Sequence, residues 1–245
     1  MGGHDVMTAG LEVFPDGRTL AHEVADRLMQ RALKAEGRFV VALSGGSTPK
    51  LLYTLMAQPE YAARFPWERT HFFLGDDRFV PREHADSNRR MIGECLLAHV
   101  PLPAENWHPM PDSGDADEAA RIYEQELKGF YAHSTLMADK PLFDVVLLGL
   151  GENGHTASLF PRQPVLEEKQ RWVASCVPDD APHTRLTLTY PAIACSREIW
   201  FLVAGASKKD VLARVRAGDL REPASRIVSD GCISFLADRA AAGVE

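Results

Sequence analysis

No stretch of this chain is apolar for long enough to cross a membrane. The longest apolar run, residues 145–150, falls far short of the roughly 20 residues that a spanning helix requires, so no membrane partner is expected. Positive charge is not in excess either. Lys and Arg number 27 against 34 Asp and Glu, a formal net charge of -7, and without a gathered basic face no nucleic-acid partner is expected. An anionic ligand would have to be met by local groups. Cysteine is scarce: Cys95, Cys176, Cys195 and Cys232 stand too far apart for a zinc or redox CxxC motif and read as buried free thiols. The nine histidines include no HExxH pair and no serine lies in a GxSxG elbow. No metal site is expected, and a water nucleophile is implied. Residues 1–11 carry Asp5 and lack a basic segment followed by an apolar run, while Val6 does not fit the myristoylation pattern after Gly2. Neither a secretory nor a lipid signal is expected there, which makes a cytoplasmic location the default.

What remains is ordinary globular composition, 45% hydrophobic and 25% charged over 245 residues, and one domain over residues 1–245 is expected. Leu20, Val24, Leu28 and Ala32 recur at helical spacing and predict an amphipathic helix over 17–35. Residues 39–43 are short, continuous and apolar, the pattern of a buried parallel strand. A glycine-rich turn follows, and Thr48-Pro49 reads as a capping hydroxyl before a first-turn proline, opening a helix through residue 55. The alternation continues with a strand at 71–74, helices at 87–99 and 115–136, and a strand at 143–148 ending in a second glycine-rich turn. Further strands are predicted at 172–177, 185–189, 198–203 and 232–236, with a helix at 207–217. Residues 101–114, rich in Pro, Asp and Gly, read as a connection within this pattern. The fold class is α/β, a doubly wound, mostly parallel Rossmann-like sheet, whose ligands bind beyond the carboxyl ends of its strands.

Three motifs fall at such ends. In Leu43-Ser44-Gly45-Gly46-Ser47-Thr48-Pro49 the glycines admit close backbone approach, and the helix start behind them offers free N–H groups to an anion. The same turn could simply join a strand to a helix. It lacks the Gly-Lys-Ser/Thr ending of a nucleoside-triphosphate loop and is not GxGxxG, so a monophosphate suits it better than ATP or NAD. Gly75-Asp76-Asp77-Arg78-Phe79-Val80-Pro81 puts two carboxylates and a guanidinium at the end of a buried strand, as a loop ion pair or as working groups. Asp86-Ser87-Asn88 then opens a helix. The third motif, Gly149-Leu150-Gly151-Glu152-Asn153-Gly154-His155-Thr156-Ala157-Ser158-Leu159-Phe160-Pro161, sets a histidine, the side chain best matched to proton transfer near neutral pH, after a glycine-flanked turn. Arg185 at a strand start and Lys208 at a helix start are two cations that could supply a local positive field.

Together, Ser44-Gly45-Gly46-Ser47-Thr48-Pro49, Asp77-Arg78-Phe79-Val80-Pro81 with Ser87-Asn88, and Gly154-His155-Thr156-Ala157-Ser158-Leu159-Phe160-Pro161 closely resemble, in order and spacing, the signature set of the 6-phosphogluconolactonase family. The likeness runs from about residue 40 to residue 208. It implies the fold shared with glucosamine-6-phosphate deaminases, no cofactor, and hydrolysis of 6-phosphoglucono-δ-lactone to 6-phosphogluconate, the second step of the oxidative pentose phosphate pathway. It also implies that phosphate lies against Gly45, Gly46 and Ser47 with Arg185 and Lys208, that His155 is the general base and that Arg78 contacts substrate. The candidate catalytic residues are therefore His155, Arg78 and Asp76, and the candidate substrate-binding residues Gly45, Gly46, Ser47, Thr48, Asn88, Arg185 and Lys208. The expected partner is the small sugar-phosphate lactone, bound by a monomer or weak homo-oligomer. Arg78 or the amides of the 149–154 turn are candidates for holding the oxyanion.

Two positions depart from the family pattern: Asn153 where aspartate commonly precedes Gly-His, and Asp77 where glutamate is common. Asparagine in place of an aspartate that orients a catalytic imidazole costs about 10⁴ in the serine-protease template. Asn153 is therefore expected to shape the turn through a left-handed backbone. The nearest rival, a sugar-phosphate isomerase or deaminase on the same fold, carries a glutamate five residues after the histidine, where this chain has Phe160. A non-catalytic sugar-phosphate sensor would need a DNA-reading segment for which the pattern leaves no room.

Overall fold

The computed structural model describes residues 10–179 and 181–244; of the segment read above for secretory and lipidation signals, residues 1–9 lie outside the described residues. Among the described residues the strands are β1 (Gly10–Phe14), β2 (Phe39–Leu43), β3 (Thr70–Leu74), β4 (Asp76–Arg78), β5 (Trp107–His108), β6 (Phe143–Leu148), β7 (Val173–Cys176), β8 (Arg185–Leu188), β9 (Ser196–Val203) and β10 (Cys232–Asp238). Seven of them form one sheet in the order β1-β10-β9-β6-β2-β3-β5, with every neighbouring pair parallel. Strand β2 is buried at all five residues and β6 at five of six. Strands so buried need cover on both faces, which is why β2 is an unbroken apolar run and β6 is apolar except at the half-buried Asp144. The helices are α1 (Gly17–Lys34), α2 (Ser47–Met56), α3 (Pro59–Ala62), α4 (Asn88–Cys95), α5 (Ala116–Tyr131), α6 (Tyr190–Ala194), α7 (Lys209–Arg216) and α8 (Arg239–Ala242). In α1 the four apolar residues picked out by spacing, Leu20, Val24, Leu28 and Ala32, are all 0% exposed, and truncating such a leucine typically costs 2–5 kcal/mol.

The strand order reverses at β2. From there the chain adds β3 and β5 on one side, while β6, β9 and β10 lie on the other. The crevice of a doubly wound sheet opens at this switch, between the carboxyl ends of β2 and β6. Those ends lead into the two glycine-rich turns.

The predicted strands at 172–177 and 185–189 exist but do not extend the main sheet. They are β7 and β8 of a separate antiparallel sheet of order β4-β8-β7, whose third strand, carrying Asp76-Asp77-Arg78, had no strand-like pattern of its own. Gly75 is the joint between the sheets: its N–H donates to the Leu43 carbonyl at 2.8 Å and its carbonyl accepts from Leu188 N–H at 2.8 Å. Two helix ends also differ from expectation. The helix predicted over 115–136 stops at Tyr131, because Ala132 turns left-handed at φ 61°. The helix predicted over 87–99 is capped by Ser87, whose Oγ accepts from Arg90 N–H at 3.1 Å, and ends at Cys95. Strand β1 escaped notice because it is a mostly exposed edge strand. The thiols are all free, but only Cys176 and Cys195 are buried; Cys95 is half-buried and Cys232 is exposed, since Cys232 begins β10 where that strand's residues still face water.

Candidate active site

Two buried tyrosines complete the strand ends that border the crevice. The Tyr53 hydroxyl, on α2, accepts from Ser44 N–H at 3.1 Å and donates to the Ser44 carbonyl at 2.8 Å. The Tyr123 hydroxyl, on α5, accepts from Leu74 N–H at 2.8 Å and donates to the His108 carbonyl at 3.1 Å. Each satisfies backbone groups that the ladder leaves unpaired where its strands diverge.

After β2 the chain turns through Gly46 at φ 104°, and Gly46 is the N-cap of α2. Thr48 is thus not the cap, as its sequence context had suggested; it lies inside the helix, and no side chain caps the helix. The first-turn N–H groups and the positive dipole end consequently face the crevice. Gly45 is required for another reason: a Cβ there would lie 2.0 Å from the Asn88 Oδ1. Asn88 is held in place by its Nδ2 donating to the Asp76 carbonyl at 3.0 Å.

Asp77 organises the neighbouring loop. Its carboxylate accepts from the backbone N–H groups of Arg78, Asn88 and Arg89 at 2.8, 2.7 and 3.1 Å, and so locks the start of α4 onto β4. Burial nonetheless pushes its pKa up to about 6. Asp76 points the other way and lines the crevice. It is buried, which raises its pKa, and the Ser158 Oγ donates to its Oδ2 at 2.7 Å.

His155 ends the turn after β6. Its Nδ1 lies 2.6 Å from the Asn153 Oδ1, and the same oxygen accepts the His155 backbone N–H at 3.3 Å. The backbone N–H can only donate, so the shared atom is the carboxamide oxygen, and a hydrogen bond from the ring to that oxygen requires the proton on the Nδ1, which leaves the Nε2 lone pair free. Asn153 therefore orients the imidazole. The expectation that it would shape the turn through a left-handed backbone is wrong: Asn153 is not among the residues of positive φ, and Gly154, at φ 75°, makes that turn. The imidazole stacks on Phe160, with centroids 4.3 Å apart and planes inclined by 23°. Gly151 also sits against the ring: a Cβ there would come within 2.0 Å of the Nδ1. Burial first, and then the charges of Lys208, Arg185 and Arg78, lower the His155 pKa to about 4.

Arg185, on β8, is directly opposite Arg78 of β4 in the antiparallel register. It is 5% exposed, and its Nε and Nη1 are buried without a hydrogen-bond partner. Buried unpaired donors on a guanidinium cost stability unless something answers them. Burial lowers the Arg185 pKa, and the charge of Arg78 lowers it further. Arg78 donates through its Nη1 to the Asp86 carbonyl at 2.6 Å.

All the candidate residues named from sequence, namely Gly45, Gly46, Ser47, Thr48, Asp76, Arg78, Asn88, His155, Arg185 and Lys208, line one crevice of about 370 Å³. Sequence reasoning missed Ser158 as the partner of Asp76, Asp77 as the loop anchor and Phe160 as the stacking plane. The unequal roles of the paired aspartates emerge only when β4 enters the second sheet. Of the proposed oxyanion donors, Gly151 and Gly154 use their N–H groups within the turn, on the carbonyls of His155 and Gly151.

A family profile described as glucosamine-6-phosphate isomerases/6-phosphogluconolactonase matches residues 15–235. The chain belongs to this family. It is 41% identical over 247 residues to a 6-phosphogluconolactonase of Nostoc sp. (strain PCC 7120), covering 98% of this chain and 99% of that one. A 6-phosphogluconolactonase of Mycobacterium tuberculosis is 39% identical over 251 residues, covering 96% and 98% of the two chains. The solved structure of 6-phosphogluconolactonase from Trypanosoma cruzi superposes with a TM-score of 0.84 at 28% identity, covering 98% of each. The family contains both isomerases and lactonases, and the crevice carries a feature that separates them: the position five residues after His155, where the isomerase pattern has glutamate, holds the apolar ring of Phe160 stacked on the imidazole.

Proposed function

We propose that this chain is a 6-phosphogluconolactonase, hydrolysing 6-phosphoglucono-1,5-lactone to 6-phosphogluconate within a single domain. The observation that carries the reading is the pairing, in one crevice, of an anion anchor with a neutral imidazole whose Nε2 is free. The phosphate is bound by the N-terminus of α2 at Gly45, Gly46, Ser47 and Thr48 and by Lys208. It also answers the buried donors of Arg185, which is why those donors are left open by the protein.

With the phosphate held there, the lactone carbonyl extends toward His155. The Nε2 takes a proton from a water molecule as its oxygen bonds to C1, giving a tetrahedral oxyanion. Arg78, fixed by the Asp86 carbonyl, holds that oxyanion. Collapse of the intermediate breaks the bond from C1 to the ring oxygen, and the imidazolium returns its proton to that oxygen, leaving the acid with a free hydroxyl. Asp76, desolvated and bonded to Ser158, contributes a hydrogen-bonding group on the wall of the crevice toward the sugar. None of these steps draws on a cofactor. A compact crevice fitted to a sugar phosphate needs neither a nucleic acid nor a membrane as partner, and no described helix is long and apolar enough to cross a bilayer.

Phe160 favours the lactonase over the isomerase or deaminase, because an apolar ring cannot replace the carboxylate that those enzymes place there. The test measures proton release from freshly generated lactone alongside ammonia release from glucosamine 6-phosphate. Acceleration of the first without the second is expected. Ammonia release without lactone hydrolysis would reassign the chain to the deaminases.

A further inference from the structure

Beside Arg78, and outside the residues that line the crevice, the side chains of His84, Asp86 and His183 bring three metal-ligating atoms within 4.8 Å of one another. Among the described residues this is the one such group. We propose that it is a binding site for a zinc-class divalent ion that ties together two chain segments flanking the crevice.

The chemistry of the donors selects the ion. Two imidazoles and one carboxylate suit Zn²⁺ and its neighbours Co²⁺, Ni²⁺ and Cu²⁺, whereas Mg²⁺ and Ca²⁺ prefer all-oxygen sets. The geometry is close to what such an ion needs. Bonds of about 2.0–2.2 Å at tetrahedral angles place donor atoms about 3.3 Å apart. The His183 Nε2 is 2.9 Å from the Asp86 Oδ2, and the His84 Nδ1 is 3.9 Å from the same oxygen. The two imidazole nitrogens lie within 4.8 Å of each other, so side-chain rotations that close this gap by up to about 1.5 Å would bring all three to bonding positions. The side chains are 41, 50 and 26% exposed for His84, Asp86 and His183, so an ion can enter and water can complete its shell. His84 gives up one contact, since its Nδ1 accepts the Asp86 backbone N–H at 3.1 Å; at an exposed position water replaces that bond.

The placement gives the site a consequence. His84 and Asp86 belong to the segment between β4 and α4, and His183 to the segment leading into β8. The two are already joined where Phe79 N–H donates to the Thr184 carbonyl at 2.8 Å. Arg78 holds the Asp86 carbonyl, and Ala181 lines the crevice. An ion at this point is a cross-link between the loop that fixes Arg78 and the loop that borders the substrate. His183 adopts φ 70°, an uncommon conformation for a side chain of this size, and it is in this conformation that its ring meets Asp86.

The test uses untagged full-length protein and Zn²⁺ itself, by titration calorimetry, with Co²⁺ absorption reporting nitrogen and oxygen ligation. One Zn²⁺ per chain is expected, with a dissociation constant on the order of micromolar, weakened at least about tenfold in His183→Ala and in His84→Asn. Mg²⁺ should not compete. Both variants should keep wild-type turnover in metal-free buffer, which separates loss of the ligand from loss of the fold. Should His183→Ala fail to fold, His84→Asn carries the test alone. Wild-type binding no tighter than that of His84→Asn would overturn the proposal, as would binding that His155→Ala abolishes and His84→Asn does not.

Discussion

The Asn153 Oδ1 lies 2.6 Å from the His155 Nδ1, so a neutral carboxamide sets the tautomer of the proposed base without adding charge beside it. Asn153→Ala should lower kcat by at least roughly 10–100-fold, the range seen when the hydrogen-bonding partner that orients a metal-bound imidazole is removed, with KM little changed. Asn153→Asp keeps the acceptor but adds a negative charge, which raises the imidazole pKa. Steady-state kinetics check both. Full turnover in Asn153→Ala would show that the contact does not orient the base.

The cations around His155 make a second prediction, about pH. Burial and then Lys208, Arg185 and Arg78 hold its pKa at about 4, below the usual value near 6.5. The folded protein therefore resists protonation that the unfolded chain accepts. This group's contribution to stability is unchanged above pH 6.5 and becomes increasingly unfavourable as pH falls toward 4. An NMR titration of the His155 ring, assigned with His155→Gln, should show a midpoint near 4 in free protein. Saturating inorganic phosphate should raise it by offsetting the cations. A midpoint at or above 6.5 without phosphate would contradict the field described here.

Arg185 answers to two opposing demands. In the free protein its buried Nε and Nη1 have no partner, so an apolar residue of similar volume should not cost stability and can add to it. Arg185→Met is expected to keep or raise the melting temperature while raising KM at least tenfold and weakening the thermal stabilisation that phosphate gives the wild type. Circular dichroism melts with and without phosphate check this. A variant that melts well below wild type yet keeps its KM would assign the arginine to folding alone.

Gly151 provides a steric test. An added methyl there meets the imidazole at 2.0 Å, and the backbone at that position is not of positive φ. Gly151→Ala should therefore displace the ring and lower kcat by about 10²-fold, as misplacement by an ångström can, while the melting temperature falls only slightly. A large loss of stability with residual normal turnover would contradict this.

Much of this was legible in the sequence because it is local. The apolar runs of β2 and β6 report burial on both faces, and the glycine turns after them mark the switch point where ligands bind. Leu20, Val24, Leu28 and Ala32 announce the buried face of α1. What stayed hidden depends on tertiary pairing. Nothing in Asp76-Asp77-Arg78 says that it leaves the main sheet to pair with Arg185-Leu186-Thr187, which is what turns Asp76 into the crevice and Asp77 onto the start of α4. Nothing in a lone Asn153 says that its side chain folds back two residues onto an imidazole. His84, Asp86 and His183 are almost a hundred residues apart at their widest, so no spacing rule could have grouped them.

The role of His155 is tested most directly by His155→Ala, assayed for proton release from fresh lactone and, in the same preparation, for thermal stabilisation by inorganic phosphate. Turnover should fall by at least about 10³-fold, within the range expected for loss of a general base, while phosphate still stabilises the fold through Arg185, Lys208 and the start of α2. A variant that keeps a tenth or more of wild-type turnover would show that the imidazole is not the base.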